Sequence, residues 1–307
     1  MIQTENLGRY FDQIKAVDGI SFSVSKGEVL GFLGPNGAGK STTMKLLTCF
    51  LSPSFGSAKV GGFDIVTQSR EVRKLIGYLP ENAPLYGEMT VRSFLEFIAQ
   101  VRGVKEESLA VGRVLELASL GSVAEQRIET LSKGFRRRVG LAQSLIHDPE
   151  ILILDEPTDG LDPNQKHEVR ELIRGMAKEK CIILSTHILE EVDEVCTRAV
   201  IIARGKIVAD DTPDRLRGQS EMCGAVTVAF GKDLDDSAVA ALRSIPGVRS
   251  VREVRSGAGR RSFVLLPNKS SAILPAVMKE AEQRSWPIQD LRLDAGQLDE
   301  VFRAITQ

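Results

Sequence analysis

The sequence predicts an α/β fold organised on a parallel sheet, followed by a small α+β domain. Two apolar runs, Val29-Leu30-Gly31-Phe32-Leu33 and Ile151-Leu152-Ile153-Leu154, read as buried parallel strands, and each leads into a helical pattern. Between the first run and its helix lies the loop Gly34-Pro35-Asn36-Gly37-Ala38-Gly39-Lys40-Ser41. Beyond residue 217 the pattern restarts as β-α-β-β-α-β, the order of a ferredoxin-like split unit. The chain's 307 residues suffice for one large and one small domain, placed at 1–216 and 217–307.

Residues 1–30 read as short strands, Ile20-Ser21-Phe22-Ser23-Val24 among them, punctuated by turns at Asp18-Gly19 and Lys26-Gly27. Thr42-Thr43-Met44-Lys45-Leu46-Leu47 continues the helix after the glycine-rich loop. Leu51 to Gly56 breaks that pattern, and Ile76-Gly77-Tyr78-Leu79 is a strand ended by Pro80. From Thr90 to about Ser119 the period becomes helical, with Val91, Phe94, Leu95 and Ile98 on one face and Val111, Val114, Leu115 and Ala118 on another. This begins a helical insertion of about 88–148. Within it Ser132 caps a helix running to about His147, with Val139, Ala142, Leu145 and Ile146 inward. A helix from about Asn164 to Glu179, the strand Cys181 to Ser185, the amphipathic Ile188 to Cys196 and an edge hairpin turning at Arg204-Gly205 complete the larger domain. The smaller one reads as strands Val226–Phe230, Val248–Arg255, Phe263–Leu266 and Ile288–Leu293, with helices Ser237–Ser244 and Ser271–Arg284, a turn through Gly257-Ala258-Gly259, and a last helix Leu298–Ile305.

Forty basic and forty-one acidic residues leave a net charge of −1, without the basic excess that marks a nucleic-acid or anionic-membrane partner. The triplet Arg136-Arg137-Arg138 reads as a solvated helix face. Four cysteines without metal-ligand spacing read as small core fillers in a reducing compartment. No leader pattern opens the sequence and no apolar run approaches the roughly 18 residues a membrane helix needs, so a membrane role is expected to come through a partner.

The glycine-rich loop carries chemistry. Glycine permits positive backbone angles that turn successive N–H groups into one concavity, and the helix starting near Lys40 adds the positive end of its dipole. Such a concavity suits a polyphosphate, with Lys40 on the β- and γ-phosphates and the Ser41 hydroxyl on a magnesium ion. Asp155-Glu156 end an apolar strand, where α/β sheets bind ligands. Tyr10 and Phe11 form an aromatic pair from which one ring could stack on a nucleotide base.

Taken with Leu131-Ser132-Lys133-Gly134-Phe135, Gly160-Leu161-Asp162 and Ser185-Thr186-His187, these motifs resemble, in order and spacing, the nucleotide-binding subunit of ABC transporters. The resemblance covers about residues 2–215. The βαββαβ tail and Leu298-Asp299-Glu300-Val301-Phe302 are similar to the exporter-type subfamily that includes drug- and sodium-efflux, copper-maturation and gliding-motility ATPases. It implies a P-loop (Walker A) cassette with a RecA-like core, an antiparallel β subdomain and a helical subdomain. It further implies ATP and Mg2+ as ligands, and a head-to-tail homodimer or paralogue dimer sandwiching two ATP molecules. Transmembrane permease subunits would hold the chain peripherally at the cytoplasmic face of the inner membrane, with no nucleic acid as partner. Under this resemblance Gly34, Pro35, Asn36, Gly37, Ala38, Gly39, Lys40, Ser41 and Thr42 hold the phosphates, and Phe11, favoured over Tyr10 by its spacing to Ala16-Val17-Asp18, stacks on the base. Ser132 and Gly134 bind the γ-phosphate of the other subunit's ATP. Asp155 holds Mg2+, Glu156 is the general base, His187 contacts the γ-phosphate, and Asp162 orients the loop crossing between subunits.

Three departures stand out. Glu81 occupies the position where the family has a glutamine that senses Mg2+ and the attacking water, and Lys133 and Phe135 replace the commoner glycine and glutamine. Two other readings are a soluble ABC ATPase acting on ribosomes or DNA, and an importer ATPase with a ligand-sensing tail. The first is disfavoured by a single cassette, the lack of a heptad run and the balanced charge.

Overall fold

The computed structural model describes residues 1–231, 236–255, 261–268 and 271–306. They form two compact units, Met1–Pro213 and Asp214–Ile305.

The first unit opens with a hairpin, β1 (Ile2–Phe11) and β2 (Ile14–Val24), followed by β3 (Val29–Leu33), α1 (Lys40–Leu47), β4 (Phe55–Val60) and β5 (Phe63–Asp64). Next come α2 (Ser69–Leu75), β6 (Ile76–Leu79), α3 (Val91–Arg102), α4 (Glu107–Leu117) and α5 (Lys133–Leu145). It continues with β7 (Ile151–Asp155), α6 (Pro163–Ala177), β8 (Cys181–Thr186), α7 (Leu189–Val195), β9 (Arg198–Ala203) and β10 (Lys206–Asp211). One sheet is antiparallel, ordered β2-β1-β4-β5. The other is ordered β10-β9-β3-β8-β7-β6 and is parallel except for its edge hairpin.

Strand alternation sorts the apolar runs into two layers. Leu152, Leu154, Ile182 and Leu184 join the core shared with α3, α4 and α5, while Ile151, Ile153, Cys181 and Ile183 face α1 and the antiparallel sheet. Every residue of β3, β7 and β8 is buried, each large aliphatic contributing roughly 1.5–3 kcal/mol of burial. The register aligns Leu33 with Thr186 and Asp155 with Ser185, so three strands end together at one carboxyl edge.

The expected turn at Asp18-Gly19 is instead part of β2. Gly19 (φ 72) faces Asn6 (φ 48) across a register shift, a bulge that bends the hairpin, and the chain reverses at Asp12 (φ 51). The helical insertion contains α3, α4 and α5, and Gly103, at φ 67, caps α3 and separates it from α4. Helix α2, which the sequence pattern did not indicate, has Val72 as its one buried residue, too little for a periodic signal. Of the four free cysteines Cys181 is fully buried, whereas Cys49, Cys196 and Cys223 are partly exposed.

The second unit begins within α8 (Pro213–Arg217), whose first residue closes the first unit. It continues through β11 (Val226–Phe230), α9 (Asp236–Ser244), β12 (Val248–Arg255), β13 (Arg261–Pro267), α10 (Leu274–Gln283), β14 (Ile288–Leu293) and α11 (Leu298–Thr306). Its antiparallel sheet has the order β12-β13-β11-β14 and packs Val226, Val228 and Phe263 against Leu242, Val277 and Trp286. The turn expected at Gly257-Ala258-Gly259 lies outside the described residues. Among the described residues, no helix is long and apolar enough to cross a membrane.

Candidate active site

The loop from β3 to α1 is built by glycine at the positions where a side chain has no room. A Cβ on Gly34 would lie 2.5 Å from the Ile202 carbonyl oxygen, and one on Gly39, at φ 112, would lie 2.3 Å from that of Ala16. The loop therefore nests against β9 and β2, and Ala38, buried beneath it, donates its N–H to the Pro35 carbonyl at 3.1 Å. Lys40 is also buried. Its Nζ donates to the Gly34 carbonyl at 2.7 Å and the Pro35 carbonyl at 3.4 Å. Burial lowers the Lys40 pKa, opposed by the negative charges of Glu156, Asp155 and Glu81.

Across the carboxyl edge, Asp155 ends β7 and is 1% exposed, its Oδ1 accepting from the Ser185 hydroxyl of the adjacent strand. Glu156 follows in the left-handed region at φ 51. Its N–H donates to the Ser185 carbonyl at 3.1 Å and hydroxyl at 3.2 Å, which turns its carboxylate away from the strand and out to the cavity. There Oε2 lies 2.9 Å from His187 Nδ1. Burial raises the Glu156 pKa, while the hydrogen bond and charge of His187 and the charge of Lys40 pull it down. The carboxylate is thus a better proton acceptor than an ordinary glutamate and remains beside a cation. A buried carboxylate, Glu191, braces the neighbouring segments: it accepts from the hydroxyls of Thr158 and, at 2.7 Å, Thr186.

Asn36, Gly37, Gly39, Lys40, Ser41, Thr42, Glu81, Glu156 and His187 line one cavity of about 430 Å3. The carbonyls of Gly34 and Pro35 hold the Lys40 amine that lines it, and Asp155 is buried with its carboxylate on the Ser185 hydroxyl. A larger cavity, about 860 Å3, borders Arg70, Arg102 and Arg113 but contains none of the phosphate loop or the strand-end carboxylates. The smaller one therefore carries the chemistry. Its size fits a nucleotide portion, its loop offers N–H groups and a cation, and a carboxylate–imidazole pair stands opposite.

Phe11, Ser132, Gly134 and Asp162, expected at the site, lie apart from this wall. Phe11 is exposed, with the Arg9 guanidinium over its ring at 4.6 Å, and Ile14 is the apolar side chain that lines the cavity instead. Tyr10 is engaged with Asp18 at 2.5 Å and edge-on to Phe55. Ser132 caps α5, accepting from the Phe135 N–H at 3.3 Å. Gly134 lies where a Cβ would meet the Gln165 side chain at 2.5 Å. Asp162 and Gln165 form a reciprocal capping box at the start of α6. Lys15, Ala16, Asp159 and Arg204 join the wall without a motif to announce them.

The arginine triplet corrects another expectation. Arg136 is exposed, but Arg137 and Arg138 are 8% and 7% exposed, so this is not a solvated face. Arg138 pairs with Glu168 at 2.8 Å, tying α5 to α6. Arg137 Nη1 donates to the carbonyls of Pro80 and Glu81, both at 2.7 Å, and Nη2 to that of Glu156 at 2.6 Å and that of Asp155. Lys133 pairs with Asp159 at 2.7 Å.

Among the described residues, no three His, Cys, Asp or Glu side chains converge into a metal cage. Ser41, Asp155 and Glu81 are all oxygen donors, the set that suits Mg2+ held by one or two carboxylates, phosphates and water.

Residues 17–159 match the sequence model of the family described as ABC transporter. The probable multidrug ABC transporter ATP-binding protein YbhF of Escherichia coli (strain K12) is 39% identical over 223 residues, 72% of this chain and 38% of that protein. The chain thus spans well under half the length of that relative. Nod factor export ATP-binding protein I of Paraburkholderia xenovorans (strain LB400) is 36% identical over 235 residues, 76% of this chain and 77% of that protein. A solved structure described as an ATP binding subunit of an ABC transporter superposes with a TM-score of 0.66 at 29% identity, covering 71% of this chain and 92% of that one.

Proposed function

Because this chain belongs to the ATP-binding proteins of the ABC transporter family, we propose that it binds and hydrolyses ATP in the Lys40 cavity as the energising subunit of an export system. The observation that carries this reading is the convergence of the phosphate loop, Lys40, Glu156 and His187 on one cavity. The phosphates take the loop N–H groups, and Lys40 exchanges the Gly34 and Pro35 carbonyls for phosphate oxygens. Glu156 accepts a proton from the water that attacks the γ-phosphorus, and the electron pair of the broken bond leaves on ADP. His187, protonated at Nδ1, donates to Glu156 and holds the carboxylate in line. Ser41, Asp155 and Glu81 would hold Mg2+, which when bound neutralises phosphate charge.

Phosphoryl transfer depends mainly on positioning and charge stabilisation. Ser132, Gly134 and Asp162 lie outside the wall of the cavity. In the proposal they complete the ATP site of a second subunit, either a copy or a homologue, so that ATP closes a head-to-tail dimer. Movement reaches the membrane through a separate permease, which places this chain peripherally at the cytoplasmic face. The name of the Nod factor relative favours export over import. The unit from Asp214 to Ile305 is assigned to regulation or assembly.

The test is capture of the full chain from gently solubilised native membranes, with identification of its companions. A stoichiometric polytopic membrane protein is the expected result. Recovery with ribosomes, or in a salt-sensitive DNA complex, would overturn the transport role while leaving the ATP site standing.

A further inference from the structure

Arg137 sits five residues along the chain from Ser132, buried at the junction of α5 with two of the loops that build the cavity. All of its observed acceptors are backbone carbonyls. Pro80 and Glu81 belong to the segment after β6, while Asp155, Glu156 and, at 3.4 Å, Pro157 belong to the end of β7. The carboxylates of Asp155, Asp159, Glu156 and Glu81 surround it and oppose the lowering of its pKa by burial. One planar guanidinium, with donors fixed in a fork, thus binds two strand ends to a third element.

We propose that Arg137 is a positioning residue for ATP hydrolysis, holding the backbone of Glu81, Asp155 and Glu156 to the helix that begins at Ser132. The proposal rests on the function assigned above. Glu156 is the point at which the bond matters most. Its φ of 51 is an uncommon conformation for a side chain of this kind, and such a conformation persists only where neighbours over-determine it. Ser185 fixes its N–H side and Arg137 its carbonyl side. Without the guanidinium the peptide is free to relax, and the carboxylate leaves its line with the cavity. Among the described residues Lys40 donates to the Gly34 and Pro35 carbonyls, neither of which Arg137 holds, so the phosphate loop does not share these contacts. Arg137 therefore acts on the chemical step and on the Mg2+-facing carboxylates, and not on the phosphate loop's own hold on the nucleotide. The link also connects Ser132, which in a dimer faces the partner's nucleotide, to Glu156 in its own cavity.

The experiment compares wild type with Arg137→Met, Arg137→Lys and Arg137→Ala as full chains, together with any membrane protein that co-purifies. Steady-state hydrolysis and ADP binding are the readouts. In Arg137→Met, kcat falls about 100-fold, as expected for a misplacement on the order of 1 Å, while ADP affinity measured without Mg2+ stays near wild type. Arg137→Lys, with a point charge in place of the fork, gives an intermediate kcat at unchanged ADP affinity. Millimolar guanidinium restores part of the lost kcat in Arg137→Ala with saturation, and sodium chloride at equal ionic strength does not. A wild-type kcat in Arg137→Met or Arg137→Lys would overturn the proposal, as would parallel loss of ADP binding or a guanidinium effect matched by salt. Should Arg137→Met and Arg137→Ala fail to fold, Arg137→Lys decides alone. A wild-type chain that does not hydrolyse ATP, alone or with its companion, would instead refute the proposed function.

Discussion

Two glycines of the phosphate loop answer differently to the same methyl group. Gly37 has φ 78 and open space where a Cβ would stand, so Gly37→Ala meets backbone strain alone, roughly 1–2 kcal/mol. Gly39 has φ 112, and a Cβ there would lie 2.3 Å from the Ala16 carbonyl oxygen and 3.3 Å from Ile202 Cδ1. To restore even a 3.0 Å contact the Ala16 carbonyl must retreat by about 0.7 Å, an overpacking that adds roughly 1–3 kcal/mol to the same strain. Converted at about 2–4 °C per kcal/mol for a unit of this size, Gly37→Ala lowers Tm by about 4 °C and Gly39→Ala by about 10 °C. Thermal unfolding of the nucleotide-free chain, followed by a probe in the first unit, measures both. Ala16 also lines the cavity, so folded Gly39→Ala loses ATP affinity as well. Equal shifts, or a larger one for Gly37→Ala, would refute the close packing of the loop against β2.

Lys40→Ala abolishes nucleotide binding in equilibrium dialysis while the fold survives by circular dichroism; wild-type affinity would remove Lys40 from the phosphates. Glu81→Gln keeps or raises the hydrolysis rate, because it removes a negative charge near the γ-phosphate, and loss of most activity would show instead that the carboxylate is required. The pH–rate profile follows the raised pKa of Glu156. A base must be ionised, so kcat/KM, which reports the free enzyme, declines on acidification through a pKa above the usual glutamate value of about 4.3, and a decline confined to lower pH would contradict that role. The same shift has a stability sign. Glu156 keeps its proton to higher pH when folded than when unfolded, so its contribution fades as pH rises, and at neutral pH Glu156→Gln unfolds at a slightly higher temperature than wild type.

The parallel core was legible because β3, β7 and β8 are buried on both faces and therefore carry continuous apolar runs up to Leu33, Leu154 and Leu184. Glycine and proline punctuation also placed the phosphate loop and the cap at Ser132, whose bond to the Phe135 N–H is local in sequence. Less legible were features that depend on distant partners. Asp18-Gly19 has turn composition, yet its conformation is set by Asn6 across the hairpin. Arg137 looks like any charged helical residue until the carbonyls of Pro80 and Glu156, 57 and 19 positions away, are brought to it by the fold. Phe11 fits the base-stacking spacing, but the turn that follows presents Ile14 to the cavity.

Hydrolysis and binding of ATP by Glu156→Gln, compared side by side with wild type, test the central claim most directly. With Glu156 as the base, the variant binds MgATP with at least wild-type affinity and turns it over about 10²–10⁴-fold more slowly, the contribution of a positioned general base. An ordinary hydrolysis rate in a variant that binds ATP would contradict it and move the proton acceptor away from the carboxylate that His187 holds at 2.9 Å.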